Sequence, residues 1–130
     1  MSNTPYETAL VVDDMKLARL RLIKVCEAVG FKAIVEAANG AEAWKTLSTN
    51  NLKPSIILTD YNMPDMNGIE FLEKVRGNDL TKSVPVVFIT SESQMDLILA
   101  AVTMGVTEFV VKPFSDEVLI KKIQNILGKK

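Results

Sequence analysis

Short apolar runs alternate along the whole chain with longer stretches in which apolar residues recur every three or four positions. The runs predict strands at residues 8–12, 32–37, 55–59, 86–90 and 108–111. The periodic stretches predict helices at about residues 16–29, 41–47, 69–76, 94–104 and 116–127. Local signals support these limits, since Gly30 and Gly105 are expected to end the first and fourth helices and Ser115 to cap the last.

Five strand–helix pairs joined by short connections predict an α/β fold. The strands are continuous runs rich in β-branched residues, as expected for a parallel sheet that is covered on both faces. A closed barrel needs about eight such units, so we expect an open, doubly wound five-stranded parallel sheet with five helices on its two faces. A chain of 130 residues fits one domain. We expect a single domain with its core at about residues 8–127 and no output domain.

Charge and composition narrow the classes of partner. The net charge of −1 gives no reason to expect nucleic acid or a membrane surface as a partner. No apolar run is long enough to span a bilayer, and the first residues lack a signal-peptide pattern. The single cysteine, Cys26, excludes an internal disulfide and fits a reducing compartment, so we expect a cytoplasmic protein. Because the chain has no histidine, its chemistry must come from carboxylates, hydroxyls, lysines and backbone groups.

Polar residues follow four of the five predicted strands. They are Asp13 and Asp14 after the first strand, Asp60 after the third, Thr90 at the end of the fourth and Lys112 after the fifth. Carboxyl ends of parallel strands share one edge of a sheet, where open α/β sheets bind ligands. Each residue alone could cap a helix or begin a turn. Three clustered acids repel one another, however, unless a divalent cation such as Mg²⁺ lies among them.

This set of residue types suits phosphoryl transfer. A carboxylate beside Mg²⁺ can act as a nucleophile toward phosphorus. The charge on the phosphoryl oxygens is then stabilised by the cation, by Lys112 and by the Thr90 hydroxyl. We therefore interpret Asp60 as the phosphoacceptor.

Four segments, "VVDD", "LTDYNMPDMNG", "VVFITSES" and "VVKPF", occur in this order, each at the end of a predicted strand. Together they resemble the receiver domain of bacterial two-component response regulators, most closely the stand-alone chemotaxis regulators. The resemblance implies the flavodoxin-like strand order 2-1-3-4-5. It also implies that a kinase phosphohistidine donates a phosphoryl group to Asp60, which Lys112 contacts. Mg²⁺ is then bound by Asp13 (mainly through water), Asp14, Asp60 and the Asn62 backbone carbonyl, and the Lys112–Pro113 peptide is expected to be cis.

The resemblance further implies a switch pair and two positions that tune signal lifetime. Thr90 and Phe109 form the switch pair, with Phe109 standing where these regulators usually carry tyrosine. Asn62 and Glu92 border the path of the water that hydrolyses the aspartyl phosphate. Because Asn62 is small and neutral and Glu92 leaves the path open, we expect a phosphorylated lifetime of seconds to minutes.

Expected partners are a histidine kinase or a histidine phosphotransfer protein, and a target that recognises the phosphorylated form. Apolar residues beyond the inward stripes suggest two docking faces. They are Leu20 and Ile23 on the first helix, Met95 and Leu97 on the fourth and Ile120 on the last. The kinase is expected on the first helix, and the target on the face of helix 4, strand 5 and helix 5. Before phosphorylation we expect a monomer.

The leading hypothesis is a stand-alone chemotaxis-type messenger that catalyses only its own phosphorylation and dephosphorylation. The alternatives are a phosphorelay intermediate and a receiver-like interaction module that takes no phosphate. A metal-dependent phosphatase is a further alternative, although it needs a second acid where this chain has Asn62.

Overall fold

The structure is a computed structural model that describes residues 7–61, 66–91 and 95–128. Strands and helices alternate throughout these residues, as the sequence pattern predicts. The strands are β1 (Thr8–Val12), β2 (Ala33–Ala37), β3 (Ile56–Asp60), β4 (Val86–Ser91) and β5 (Glu108–Lys112). The helices are α1 (Lys16–Val29), α2 (Gly40–Thr49), α3 (Gly68–Arg76), α4 (Met95–Thr103) and α5 (Asp116–Gly128).

All five strands form one parallel sheet in the order β2-β1-β3-β4-β5, which confirms the predicted fold class and strand order. The carboxyl ends of the strands lie level with one another along one edge. The register places Val12 beside Ala37 and Thr59, Asp60 beside Ile89, and Ser91 beside Lys112. This edge therefore collects the residues that follow β1, β3, β4 and β5.

The core has two layers, one on each face of the sheet. Alternate residues of each strand point to opposite faces, so that Leu10 and Val12 contribute to one layer and Ala9 and Val11 to the other. The first layer is completed by α2, α3 and Ala101 of α4, and the second by α1 and α5. Helices α1 and α5 thus lie on the same face of the sheet and pack against each other.

Helix ends follow local capping. Helices α2 and α3 begin at Gly40 and Gly68, one residue before the predicted starts. The Asn39 side chain accepts a hydrogen bond from the Glu42 backbone N–H, and Asn67 and Glu70 form a reciprocal capping box. The caps that were predicted are confirmed: Gly30 and Gly105 have positive φ angles, and the Ser115 hydroxyl accepts from the Val118 N–H at 3.1 Å.

Some side chains on α1 and α5 lie where the pattern did not place them. Ile23 and Ile120 were predicted outside the inward stripes, but both are partly buried against the layer formed by α1 and α5. Leu20 is exposed, as predicted. Cys26 is buried in the same layer, and burial raises its pKa to about 12, so the thiol is an inert core residue. Among the described helices, none has both the length and the apolar character needed to cross a membrane.

Candidate functional site

Three carboxylates meet at the carboxyl edge of the sheet. Asp13 and Asp14 follow β1 directly, and Asp60 is the last residue of β3. One carboxylate oxygen from each residue lies within 4.8 Å of the others. Asp13 and Asp60 are buried, whereas Asp14 is exposed. The structure therefore brings together the acidic cluster that the strand ends predicted.

The Asp13 carboxylate has one hydrogen-bonded oxygen and one buried oxygen without a donor. Its Oδ1 accepts a hydrogen bond from the Met15 backbone N–H at 2.9 Å. Its Oδ2 is buried and has no hydrogen-bond partner among the residues that the structure describes. Burial raises the pKa of Asp13 above its ordinary value, although the Met15 bond and the Lys112 charge oppose this shift. A buried carboxylate oxygen without a donor is costly unless a cation binds it.

Lys112 brings a positive charge beside two members of the cluster. It is the last residue of β5, and its Nζ lies 3.9 Å from Asp13 Oδ2 and 3.9 Å from Asp60 Oδ1. At this distance both contacts are ion pairs that are longer than a hydrogen bond. The peptide bond from Lys112 to Pro113 is cis, as the family resemblance implied.

Thr90 and Phe109, the predicted switch pair, lie on neighbouring strands. Thr90 is buried near the end of β4, where it pairs with Val111 in β5. Phe109 pairs with Phe88 and is partly buried against the layer formed by α2, α3 and α4. Of the remaining predicted site residues, Asn62 and Glu92 lie outside the described residues. Their expected roles in metal binding and signal lifetime stay predictions.

Two arginines of α1 contact the backbone of the site, and the sequence pattern does not indicate either of them. Arg19 donates to the Asp13 carbonyl oxygen at 2.7 Å. Arg21 donates to the Phe114 carbonyl oxygen, two residues beyond Lys112. The only signal in the sequence is their place a few residues after the acidic pair, which does not distinguish them from ordinary surface arginines of a helix.

The donor set fits Mg²⁺. Hard cations prefer oxygen ligands, and Mg²⁺ typically takes one or two carboxylates while it keeps several waters. Asp13, Asp14 and Asp60 offer carboxylate oxygens at compatible separation, and one of these oxygens is the buried Oδ2 without a donor. The residues present therefore match a divalent cation such as Mg²⁺.

Comparisons with known proteins identify the family of the chain. The family model of the response regulator receiver domain matches residues 9–124. The Chemotaxis protein CheY1 of Helicobacter pylori strain J99 is 36% identical over 119 residues, covering 92% of this chain and 95% of that protein. The Chemotaxis protein CheY of Pseudomonas aeruginosa is 38% identical over 120 residues, with 92% and 95% covered.

Solved structures share the fold. The chemotaxis response regulator CheY4 of Vibrio cholerae has a TM-score of 0.82 at 30% identity, with 92% of this chain and 98% of that chain covered. The receiver domain of the sensor histidine kinase PA1611 of Pseudomonas aeruginosa has a TM-score of 0.82 at 20% identity, with 94% and 98% covered. That structure is described with a magnesium ion coordinated in its active site cleft.

Proposed function

Because the chain belongs to the response regulator receiver domain family of two-component signalling, we propose that Asp60 accepts a phosphoryl group from a phosphohistidine. One observation carries this assignment. Three carboxylates converge at the carboxyl edge of the sheet, and the Lys112 ammonium lies 3.9 Å from two of them. Of the three, only Asp60 belongs to a strand: it is the last residue of β3, which lies between β1 and β4.

In the proposed reaction, an Asp60 carboxylate oxygen attacks the phosphorus of the donor. The new O–P bond forms as the P–N bond to the donor imidazole breaks, and the imidazole nitrogen keeps the electron pair and takes a proton. Asp13, Asp14 and Asp60 would hold Mg²⁺, with the Asn62 carbonyl as a further ligand. When bound, Mg²⁺ neutralises charge on the phosphoryl oxygens. Lys112 supplies a further positive charge beside the phosphoryl oxygens, and the Thr90 hydroxyl donates a hydrogen bond to them.

The reset step is hydrolysis. A water oxygen attacks the phosphorus, the bond from phosphorus to the Asp60 oxygen breaks, and the carboxylate returns with release of inorganic phosphate. We assign no other catalytic activity to the chain. Asn62 and Glu92 would border the water's path, and with these two residues the phosphorylated state lasts seconds to minutes. Thr90 and Phe109 would transmit the conformational change caused by phosphorylation from the site to the surface of the protein.

Two exposed apolar faces suit the two expected kinds of partner. Met15, at the N-cap of α1, and Leu17 and Leu20 within α1 are exposed, and we assign this face to the helical bundle of a kinase or phosphotransfer protein. The second face lies on α4, β5 and α5, where the exposed apolar residues include Leu99, Val102, Val111 and Val118. We assign it to a target protein that recognises the phosphorylated form.

The pathway is inferred from the relatives. Several of them are named as chemotaxis proteins, and we therefore propose a chemotaxis-type messenger that is monomeric before phosphorylation. A phosphorelay intermediate would use the same site and the same α1 face. It differs in that phosphate would pass from Asp60 to a second histidine protein, which a transfer assay detects.

Metal dependence provides the test of the proposed function. With Mg²⁺ and acetyl phosphate, the intact protein is expected to gain the mass of one phosphoryl group. Excess chelator should prevent this gain, and renewed Mg²⁺ should restore it, because the acidic cluster must be neutralised before an anionic donor approaches. Undiminished labelling in chelator would exclude the metal role. Absence of labelling under every condition would favour the phosphate-independent interaction module.

The α1 face gives a second prediction. Leu20→Asp should slow phosphotransfer from a cognate kinase by about 10-fold or more, because it buries an unpaired charge at the proposed interface. Labelling by acetyl phosphate should remain at the wild-type rate, since this donor needs no docking surface. Val102→Asp, a comparable change on exposed α4, is the matched control and should leave both reactions intact. Equal loss with both donors would show that Leu20 supports the fold instead.

A further inference from the structure

Arg19 fixes the backbone of Asp13. Its Nη1 donates to the Asp13 carbonyl oxygen at 2.7 Å, while its Nε donates to Glu36 Oε1 in β2, also at 2.7 Å. The Asp13 N–H donates in turn to the Ala37 carbonyl oxygen at the end of β2. The guanidinium is planar, so its two bonds hold both acceptors at a fixed angle. The backbone of Asp13 is therefore tied to β2 on both sides of its Cα, directly through its N–H and through Arg19 at its carbonyl oxygen.

Arg21 fixes the segment that follows Lys112. Its Nε donates to Asp116 Oδ1 at 2.8 Å, and its Nη2 donates to the Phe114 carbonyl oxygen. Its guanidinium carbon also lies 4.4 Å from the centre of the Phe114 ring, within range of a cation–π contact. Arg21, Lys112 and Asp13 line one cavity of about 450 Å³ between α1 and this segment. Arg21 thus connects α1 to the chain just beyond Lys112.

The two arginines are separated by one residue, so they leave α1 on opposite sides. One reaches toward β2 and the other toward the segment between β5 and α5. We propose that they are positioning residues with separate duties: Arg19 sets the metal half of the site through Asp13, and Arg21 sets the phosphoryl half through the segment after Lys112. This inference rests on the function proposed above.

The proposal predicts that variants of the two arginines weaken the binding of different ligands. Mutation of a group that orients a metal ligand typically costs about 10- to 100-fold in affinity. We therefore expect Arg19→Gln to weaken Mg²⁺ binding about 10-fold, whereas Arg21→Gln should change it by less than about 2-fold. At saturating Mg²⁺, Arg21→Gln should weaken binding of beryllofluoride, a phosphoryl analogue, about 10-fold, and Arg19→Gln should change it by less than about 2-fold.

Both affinities are measured by following backbone amide resonances of the full chain during titration with Mg²⁺ alone, and then with beryllofluoride at saturating Mg²⁺. Lysine variants distinguish position from charge. Arg19→Lys and Arg21→Lys keep the positive charge but lose the two-pronged hydrogen bonding, so we expect little recovery of either affinity. Full recovery with lysine would overturn the proposal in favour of a simple charge effect.

Arg76→Gln is the control for a merely structural role. Arg76 also bonds backbone carbonyls, those of Val84 and Gly105, but these precede β4 and β5 at the opposite end of the sheet. We expect this variant to lower the free energy of unfolding and to leave both affinities unchanged. If Arg19→Gln and Arg21→Gln each weakened both ligands equally, general loosening would be the cause and the proposal would fail. If the wild-type chain bound Mg²⁺ but no beryllofluoride, the proposed phosphoryl function itself would fail.

Discussion

Replacing Asp60 by asparagine should abolish phosphorylation of the chain, both by acetyl phosphate and by a histidine kinase. The amide has nearly the shape of the carboxylate but lacks a nucleophilic oxygen anion. The fold should survive, because the change removes one of three mutually repelling acids within the cluster. Labelling is measured as the mass gained by the intact protein with Mg²⁺ present, and stability as the free energy of unfolding in urea without metal.

The matched control is Asp79→Asn, which removes an exposed aspartate that pairs with Lys82 at 3.6 Å, three residues along the chain. We expect this variant to be labelled at the wild-type rate. Peptide mapping then tests the assignment within the cluster, where the exposed Asp14 is the alternative acceptor. Stoichiometric labelling of Asp60→Asn at Asp14, or at any other residue, would contradict the role of Asp60 as phosphoacceptor.

The acidic cluster could be predicted from the sequence because of the regularity of parallel sheets. Once β1 and β3 are recognised as buried parallel strands, the residues that follow them must share an edge. Asp13 and Asp60 are assigned to this edge by counting along two short apolar runs. The cis peptide at Lys112–Pro113 could not be predicted in this way. Its prediction came from the family resemblance and not from the residue pattern.

What the pattern could not predict depends on contacts between distant parts of the chain. Arg21 and Phe114 are 93 positions apart, and helical periodicity says nothing about which acceptor a surface arginine finds. Ile23 was predicted outside the inward stripe of α1, because a single stripe assumes that the helix packs against one surface only. Helix α1 in fact packs against the sheet and against α5, so its buried face is wider than a single stripe.

Removing the charge of Lys112 should slow phosphorylation strongly. Lys112→Met keeps most of the side-chain length and removes the ammonium, so the phosphoryl oxygens lose one fixed positive partner. Loss of a single preorganised donor of this kind typically costs about 100- to 1,000-fold in rate. We therefore expect the rate of labelling by acetyl phosphate at saturating Mg²⁺ to fall about 100-fold. The equivalent change on α5, Lys122→Met, removes an ion pair with Glu108 of β5 and should have no effect on this rate.

The same variant should also alter the dependence of stability on pH. Lys112 lowers the pKa of Asp13, which burial otherwise raises above its ordinary value of 3.8. Without the ammonium this pKa rises further, and ionised Asp13 costs more folding free energy. A raised native pKa means that Asp13 stays protonated to a higher pH in the folded state than in the unfolded chain. The stability deficit of Lys112→Met should therefore be absent below pH 3.8 and grow as pH rises through the native pKa of Asp13. Urea unfolding without metal at acidic and neutral pH measures it, and a deficit independent of pH would show that Lys112 acts through packing and not through its charge.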